Sequence, residues 1–228
     1  MSEINLTINL TGDWSGDESI RLKTAFDYAM QNTSKLPENI LTMEGMSGHR
    51  YRRLINKYVE LTADSRYLEI GSWSGSTACS AMYGNKCKML CIDNWSTNGS
   101  PKDTFFQNIN TYKNDNVDFN FIEKNFEDID YAQIGKFNTY LFDGPHEENN
   151  QYAGIANVQM ALDDTYLLVV DDWNWPGPRN GTWRALDDLG HKIISSITIH
   201  TTQDDTHPDV YWQNSEWHNG YFIAVIKK

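Results

Sequence analysis

The chain has 228 residues, enough for one domain with a substantial core. Its formal charge of −12 comes with no basic tract, which argues against nucleic acid and anionic membrane as partners. Cys79, Cys87 and Cys91 are odd in number and fall in or beside predicted helix and strand, which fits neither a disulfide framework nor a zinc knuckle.

The N-terminal MSEINLTINL is polar and alternating, with no basic n-region or apolar h-region, and the longest apolar run is Tyr221–Ile226. A cytoplasmic protein is the default expectation, so the N-x-S/T triplets at Asn5 and Asn180 read as chance matches. Ile4, Leu6, Ile8 and Leu10 predict a half-exposed strand over residues 3–10. Asp17 or Ser19 caps a predicted helix reaching Asn32, with Ile20, Leu22, Phe26 and Met30 on its apolar side. Pro37 interrupts, residues 44–48 form a turn, and a second helix covers His49–Leu61. Residues 1–61 thus read as a mostly helical cap on a main domain of residues 62–228.

From residue 66 onward, apolar runs alternate with helical or loop segments. The predicted strands are Tyr67–Ile70, Lys88–Ile92, Phe119–Ile122, Thr139–Phe142, Tyr166–Val170, Ile193–His200 and Tyr221–Ile226. This alternation predicts an α/β fold: a Rossmann-like, doubly wound, mostly parallel sheet of seven strands with helices on both faces. Ligands bind such sheets beyond the carboxyl ends of the strands, so the residues that follow strands directly are the informative ones.

The first of these follow Tyr67–Ile70. In RYLEIGSWSGST, residues 66–77, Gly71 and Gly75 bracket a tight turn into a helical stretch. A strand that breaks at glycine and re-enters as a helix lets a ligand approach the main chain and the helix N-terminus. The bland alternative is an ordinary strand–turn–helix unit. The dinucleotide fingerprint fits poorly, because Trp73 and Ser76 stand where its second and third glycines belong. Asp93 ends the next strand, some twenty residues on, where a carboxylate can accept both hydroxyls of a ribose.

Asp143-Gly144-Pro145-His146 and Asp171-Asp172-Trp173 each follow a strongly apolar strand. If those strands are neighbours, about 4.8 Å apart, their carboxylates converge on one point. Like charges so close call for a cation, and Mg²⁺ or Ca²⁺ favours oxygen ligands of this kind. The alternative is that Asp143 caps a turn and Asp171 or Asp172 caps the next helix. Trp175 and its neighbour Trp173 border the same face, and a loop at about 202–219, with His207, Trp212, Trp217 and His218, is placed to close over it. For Trp183 and Trp217, packing at the ends of the sheet is the competing reading.

Over residues 44–228 the pattern Glu69-x-Gly71-x-x-x-Gly75, then Asp93, then the Asp143 and Asp171-Asp172 motifs, resembles the class I S-adenosylmethionine-dependent methyltransferases. It is closest to the metal-dependent O-methyltransferases of macrocin and catechol type. The resemblance implies that Glu69, Gly71, Ser72, Trp73, Gly75, Thr77, Asp93, Phe126 and Asp143 bind S-adenosylmethionine, with Thr77 at the methionine carboxylate. Asn125 and Phe126 then hold the adenine, with Trp95 a further candidate. It also implies a divalent metal, Mg²⁺ in the first instance, at Asp143, Asp171 and Asp172. His146, three residues after the first metal Asp, stands at the general base of several members. Some relatives instead use an Asp two residues after the first metal Asp; Pro145 stands there, which excludes that version.

The expected reaction is O-methylation of a small-molecule or sugar hydroxyl, with His146 mostly neutral at ordinary pH and free to take the proton. Two other readings stay open: a non-catalytic ligand-binding protein on the same fold, and a nicotinamide-dependent oxidoreductase. The resemblance extends to a neighbouring group named as hydroxylases of cephalosporin-like substrates. A homo-oligomer also stays open.

Overall fold

Each of the apolar runs from Tyr67 to Ile226 forms a strand, and together with the N-terminal strand they make one eight-stranded sheet. A computed structural model describes residues 5–96, 99, 101–210 and 214–228. Glu3 and Ile4 of the predicted first strand, and Trp212, lie outside these. The strands are β1 (Thr7–Gly12), β2 (Arg66–Ile70), β3 (Cys87–Asp93), β4 (Val117–Glu123), β5 (Phe137–Phe142), β6 (Leu162–Val170), β7 (Lys192–His200) and β8 (Tyr221–Lys227). The helices are α1 (Asp17–Met30), α2 (Glu38–Leu41), α3 (His49–Leu61), α4 (Ser76–Met82), α5 (Lys102–Tyr112), α6 (Glu148–Ala156) and α7 (Pro176–Asp188).

The strand order is β1-β7-β8-β6-β5-β2-β3-β4. Strands β4, β3, β2, β5 and β6 run parallel, while β8 is antiparallel between β6 and β7. The eighth strand is the N-terminal one: β1 pairs antiparallel with β7, Thr7 opposite His200 and Gly12 opposite Ser195.

Alternation along each strand divides the core. Tyr67, Met89, Leu141 and Val169 pack with Leu22 and Phe26 of α1, Leu54 and Ile55 of α3, and Phe105 of α5. Leu68, Leu90, Tyr140 and Leu168 pack on the other face with Ile155 of α6 and Leu186 of α7. The three cysteines are free and buried. Among the described residues, no helix is long and apolar enough to cross a membrane.

The sequence winds to one side of β2 through β3 and β4, and to the other through β5 and β6. The switch point therefore lies between β2 and β5, and a crevice opens beyond their carboxyl ends. Met46, in the loop before α3 (His49–Leu61), lines it. The first amides of that helix, which have no partner within it, donate to the 215–216 segment: His49 N to Ser215 O and Arg50 N to Glu216 O, both 2.9 Å.

Candidate active site

Sheet hydrogen bonding continues one residue past the strands. Gly71 N donates to Ile92 O (3.0 Å), Asp143 N to Ile70 O (2.9 Å) and Asp171 N to Phe142 O (3.4 Å). Gly71, Asp143 and Asp171 consequently stand side by side at the sheet's carboxyl edge. Gly71 has φ +86°, and a Cβ there would lie 1.8 Å from the carbonyl oxygen of Asp143. Only glycine fits that junction.

The turn after Gly71 is tied to the end of β3. Trp73 N donates to Asp93 Oδ2 (2.8 Å), and Trp95 N donates to Asp93 Oδ1 (2.7 Å). Each carboxylate oxygen retains a lone pair, so Asp93 can still accept hydroxyls from a ligand.

Gly71, Trp73 and Asp93 line a cleft of about 530 Å³ that also takes in Phe126, Asp143, His146, Asp171 and Asp172. Eight of the predicted site residues thus share one cleft: Gly71, Trp73, Asp93, Phe126, Asp143, His146, Asp171 and Asp172. The others form its support. Glu69, Ser72 and Thr77 are buried, and Gly75, at φ +85°, precedes α4 and faces the Phe105 ring.

The tryptophans divide. Trp175 lines the cleft beside His146, their rings 5.1 Å apart. Trp173 turns into the core and stacks on Phe222 at 4.6 Å, which corrects the expectation that it borders the acceptor. The left-handed backbone at Asp172 (φ 57°) lies between the acids and this inward turn. Trp95 stacks on Phe121 beside α5, and Trp217 is buried beside Phe26 and Tyr221. The sequence singled out neither Met46, from the loop before α3, nor Asn150; both line the cleft without a periodic or motif signal.

His146 Nδ1 lies 2.9 Å from Asp172 Oδ2. Asp172 Oδ1 accepts from Asn219 Nδ2 (2.7 Å), and Asp171 Oδ1 accepts the Asp172 N–H (2.7 Å). Burial opposes the charge on His146, but the bond to Asp172 and the charges of Asp172 and Asp143 outweigh it and raise its pKa to about 9. The imidazole is then protonated at neutral pH, contrary to the expectation of a free base, because its carboxylate neighbours dominate.

Burial also opposes ionisation of Asp172, yet the bond and charge of His146, helped by Asn219, hold it below the usual carboxylate range. Burial and then the charge of Asp172 push Asp143 up to about 8; burial and then Asp143 push Asp171 well up. Burial holds His218, which also lines the cleft, at about 4, and its Nδ1 has no hydrogen-bond partner among the described residues.

The carboxylates therefore converge without forming a metal centre. Among the described residues, no group of three His, Cys, Asp or Glu side chains is disposed to hold an ion. Asp172 has one oxygen on His146 and the other on Asn219. As placed, these residues do not fit the expected Mg²⁺.

No family model matches the chain, and no curated protein matches it. Solved structures do. The O-methyltransferase from Bacillus cereus in complex with SAH is 14% identical with a TM-score of 0.53, over 91% of this chain and 91% of that one. Cofactor-bound Rv0187 from MTB is 14% identical with a TM-score of 0.55, over 92% and 90%. TrmN from Thermus thermophilus is 12% identical with a TM-score of 0.53; 89% of this chain is covered, but only 52% of TrmN. The chain thus spans about half of that protein. At such identities the likeness is one of fold, and the chain has the fold of the class I S-adenosylmethionine-dependent methyltransferases.

Proposed function

We propose that this protein transfers a methyl group from S-adenosylmethionine to a hydroxyl of a small-molecule or sugar acceptor. The observation that carries this is the His146–Asp172 pair, which opens onto the same cleft as the Gly71 turn and Asp93. The glycine junction lets a ligand lie against the main chain, Asp93 has lone pairs for ribose hydroxyls, and Phe126 offers an apolar wall to adenine.

The cofactor supplies an electrophilic sulfonium methyl. Asp172 accepts the Nδ1 proton of His146 and so selects the tautomer whose Nε2 can take the acceptor's proton. Oxygen gains the methyl as the sulfur–carbon bond breaks in line, and the proton ends on His146. No step is routed through a metal, because no group of three His, Cys, Asp or Glu side chains among the described residues is disposed to hold one.

Calorimetry with S-adenosylmethionine, SAH and NAD tests the cofactor, and methyl transfer to a panel of phenolic and sugar hydroxyls tests the reaction. The expected result is binding of the first two and product with a hydroxyl acceptor. Tight NAD binding with none for the sulfonium cofactor overturns the reading.

A further inference from the structure

Arg52, on the first turn of α3, is fully buried at 0% exposed, yet its partners among the described residues are all neutral. Nη1 donates to the carbonyls of Ile40 (2.8 Å), Leu41 (3.0 Å) and Met43 (2.9 Å); Nη2 donates to Gly45 O (2.9 Å) and Nε to Ser47 Oγ (2.9 Å). Burial lowers its pKa only to about 10, so the guanidinium stays charged at neutral pH. A buried charge without a counter-ion is tolerable only where oriented dipoles replace water. Here the carbonyls at the end of α2 and in the loop that follows it are gathered on one planar fork, which fixes the loop's course.

The far side of the segment meets the turn between β2 and α4. Ser74 Oγ donates to Glu44 O, and the hydroxyls of Ser47 and Ser76 lie 3.4 Å apart. Gly45 sits so close that a Cβ there would be 2.0 Å from Ser76 Oγ. Between these contacts Met46 faces the cleft and is 38% exposed, a large apolar side chain with room for a ligand to cover it. Ile40, Leu41 and Met43 anchor the segment in the core. Beyond them Arg52 and the serines of the β2–α4 turn hold Gly45 and Ser47, and Met46 between these is presented to the cleft.

We propose that Arg52 is a positioning residue for cofactor binding, holding residues 43–47 so that Met46 forms a wall of the cofactor site and the Gly71–Ser76 turn keeps its shape. This rests on the reading of the cleft as an S-adenosylmethionine site.

SAH binding is measured by calorimetry, well below each variant's unfolding temperature, for the wild type, Arg52→Met, Arg52→Lys, Gly45→Val and Met46→Ala. Arg52→Met is expected to weaken binding at least about tenfold, and Arg52→Lys less, since the ammonium restores charge without the fork. Gly45→Val acts from the Ser76 end and carries the test if Arg52→Met does not fold; the same loss is expected. Met46→Ala is expected to weaken SAH binding severalfold with its thermal midpoint unchanged. In turnover, the loss falls on KM for S-adenosylmethionine and leaves kcat near wild type, which a loss of stability alone does not produce. If the wild type binds SAH and Arg52→Lys and Gly45→Val bind within twofold of it, the positioning role is overturned alone. If the wild type does not bind SAH, the cofactor reading falls and takes this proposal with it.

Discussion

Replacing His146 with alanine removes the nitrogen assigned to proton transfer and leaves Asp172 without its hydrogen-bonded counter-charge. A positioned general base is worth about 10²–10⁴-fold. His146→Ala should lower kcat by that order while SAH binding, measured by calorimetry, changes little; a loss below fivefold sinks the assignment. Because Asp172 holds the imidazole's pKa near 9, kcat/KM should climb about tenfold per pH unit from neutral pH and level off near pH 9. A profile flat over that range would mean that His146 is not the proton acceptor. Glu69 makes a different statement. It is fully buried, and burial raises its pKa to about 7 although the Tyr67 hydroxyl donates to it at 2.6 Å. A carboxyl raised on folding contributes stability that is complete below its unfolded pKa, about 4.3, and lost as pH climbs through the folded value. Glu69→Gln should therefore flatten the fall in stability between pH 5 and pH 8, by on the order of 3 kcal/mol. Urea unfolding at the two pH values checks this, and a parallel loss in both proteins counts against it.

The sheet explains why residues far apart in sequence meet. Register places Ile70 opposite both Ile92 and Phe142, and Phe142 opposite Val170, so the residue after each strand lands on one line. That much was legible: buried parallel strands announce themselves as short apolar runs, and the acids follow them directly. Where a strand sits on an edge, the pattern says less. Ile4 to Leu10 predict pairing over residues 3–10, whereas β1 covers Thr7–Gly12, because its partner Ser195–His200 sets where pairing stops. The join between β2 and β3 yields a prediction at this scale. Asp93→Ala releases the amides of both Trp73 and Trp95 and removes two acceptors for ribose. Hydrogen bonds to a charged group are worth about 1.5–3 kcal/mol, so SAH affinity should fall by one to two orders of magnitude. Unchanged affinity in a folded variant would remove Asp93 from the site.

For the molecule as a whole the formal charge is −12, and the cleft sets Asp93, Asp143, Asp171 and Asp172 beside His146 and Lys124. A divalent ion would have to compete with the His146 charge for Asp172. Mg²⁺ should bind weakly to the wild type at pH 7 and more tightly to His146→Ala, as calorimetry would show; tight binding to the wild type overturns the view that Asp172 is committed. The sequence reading expected a metal because it could count carboxylates but could not see Asn219 reach Asp172 from 47 positions away. Arg52 was illegible for the same reason: nothing in its spacing shows that its donors meet the preceding loop or that this loop touches residues 74–76.

The pairing of β1 with β7 also has a consequence for biogenesis. Thr7 leaves the ribosome long before His200, its partner, so β1 is made well before its hydrogen-bonding partner exists. Pairing at such sequence separation is slow because the loop-closure entropy must be met first. During that interval Leu6, Ile8 and Leu10 sit on a bare strand edge, the kind of segment that recruits chaperones or neighbouring nascent chains. Pulse-labelled hydrogen exchange during refolding should show the amides of β1 protected after those of β2, β3 and β5.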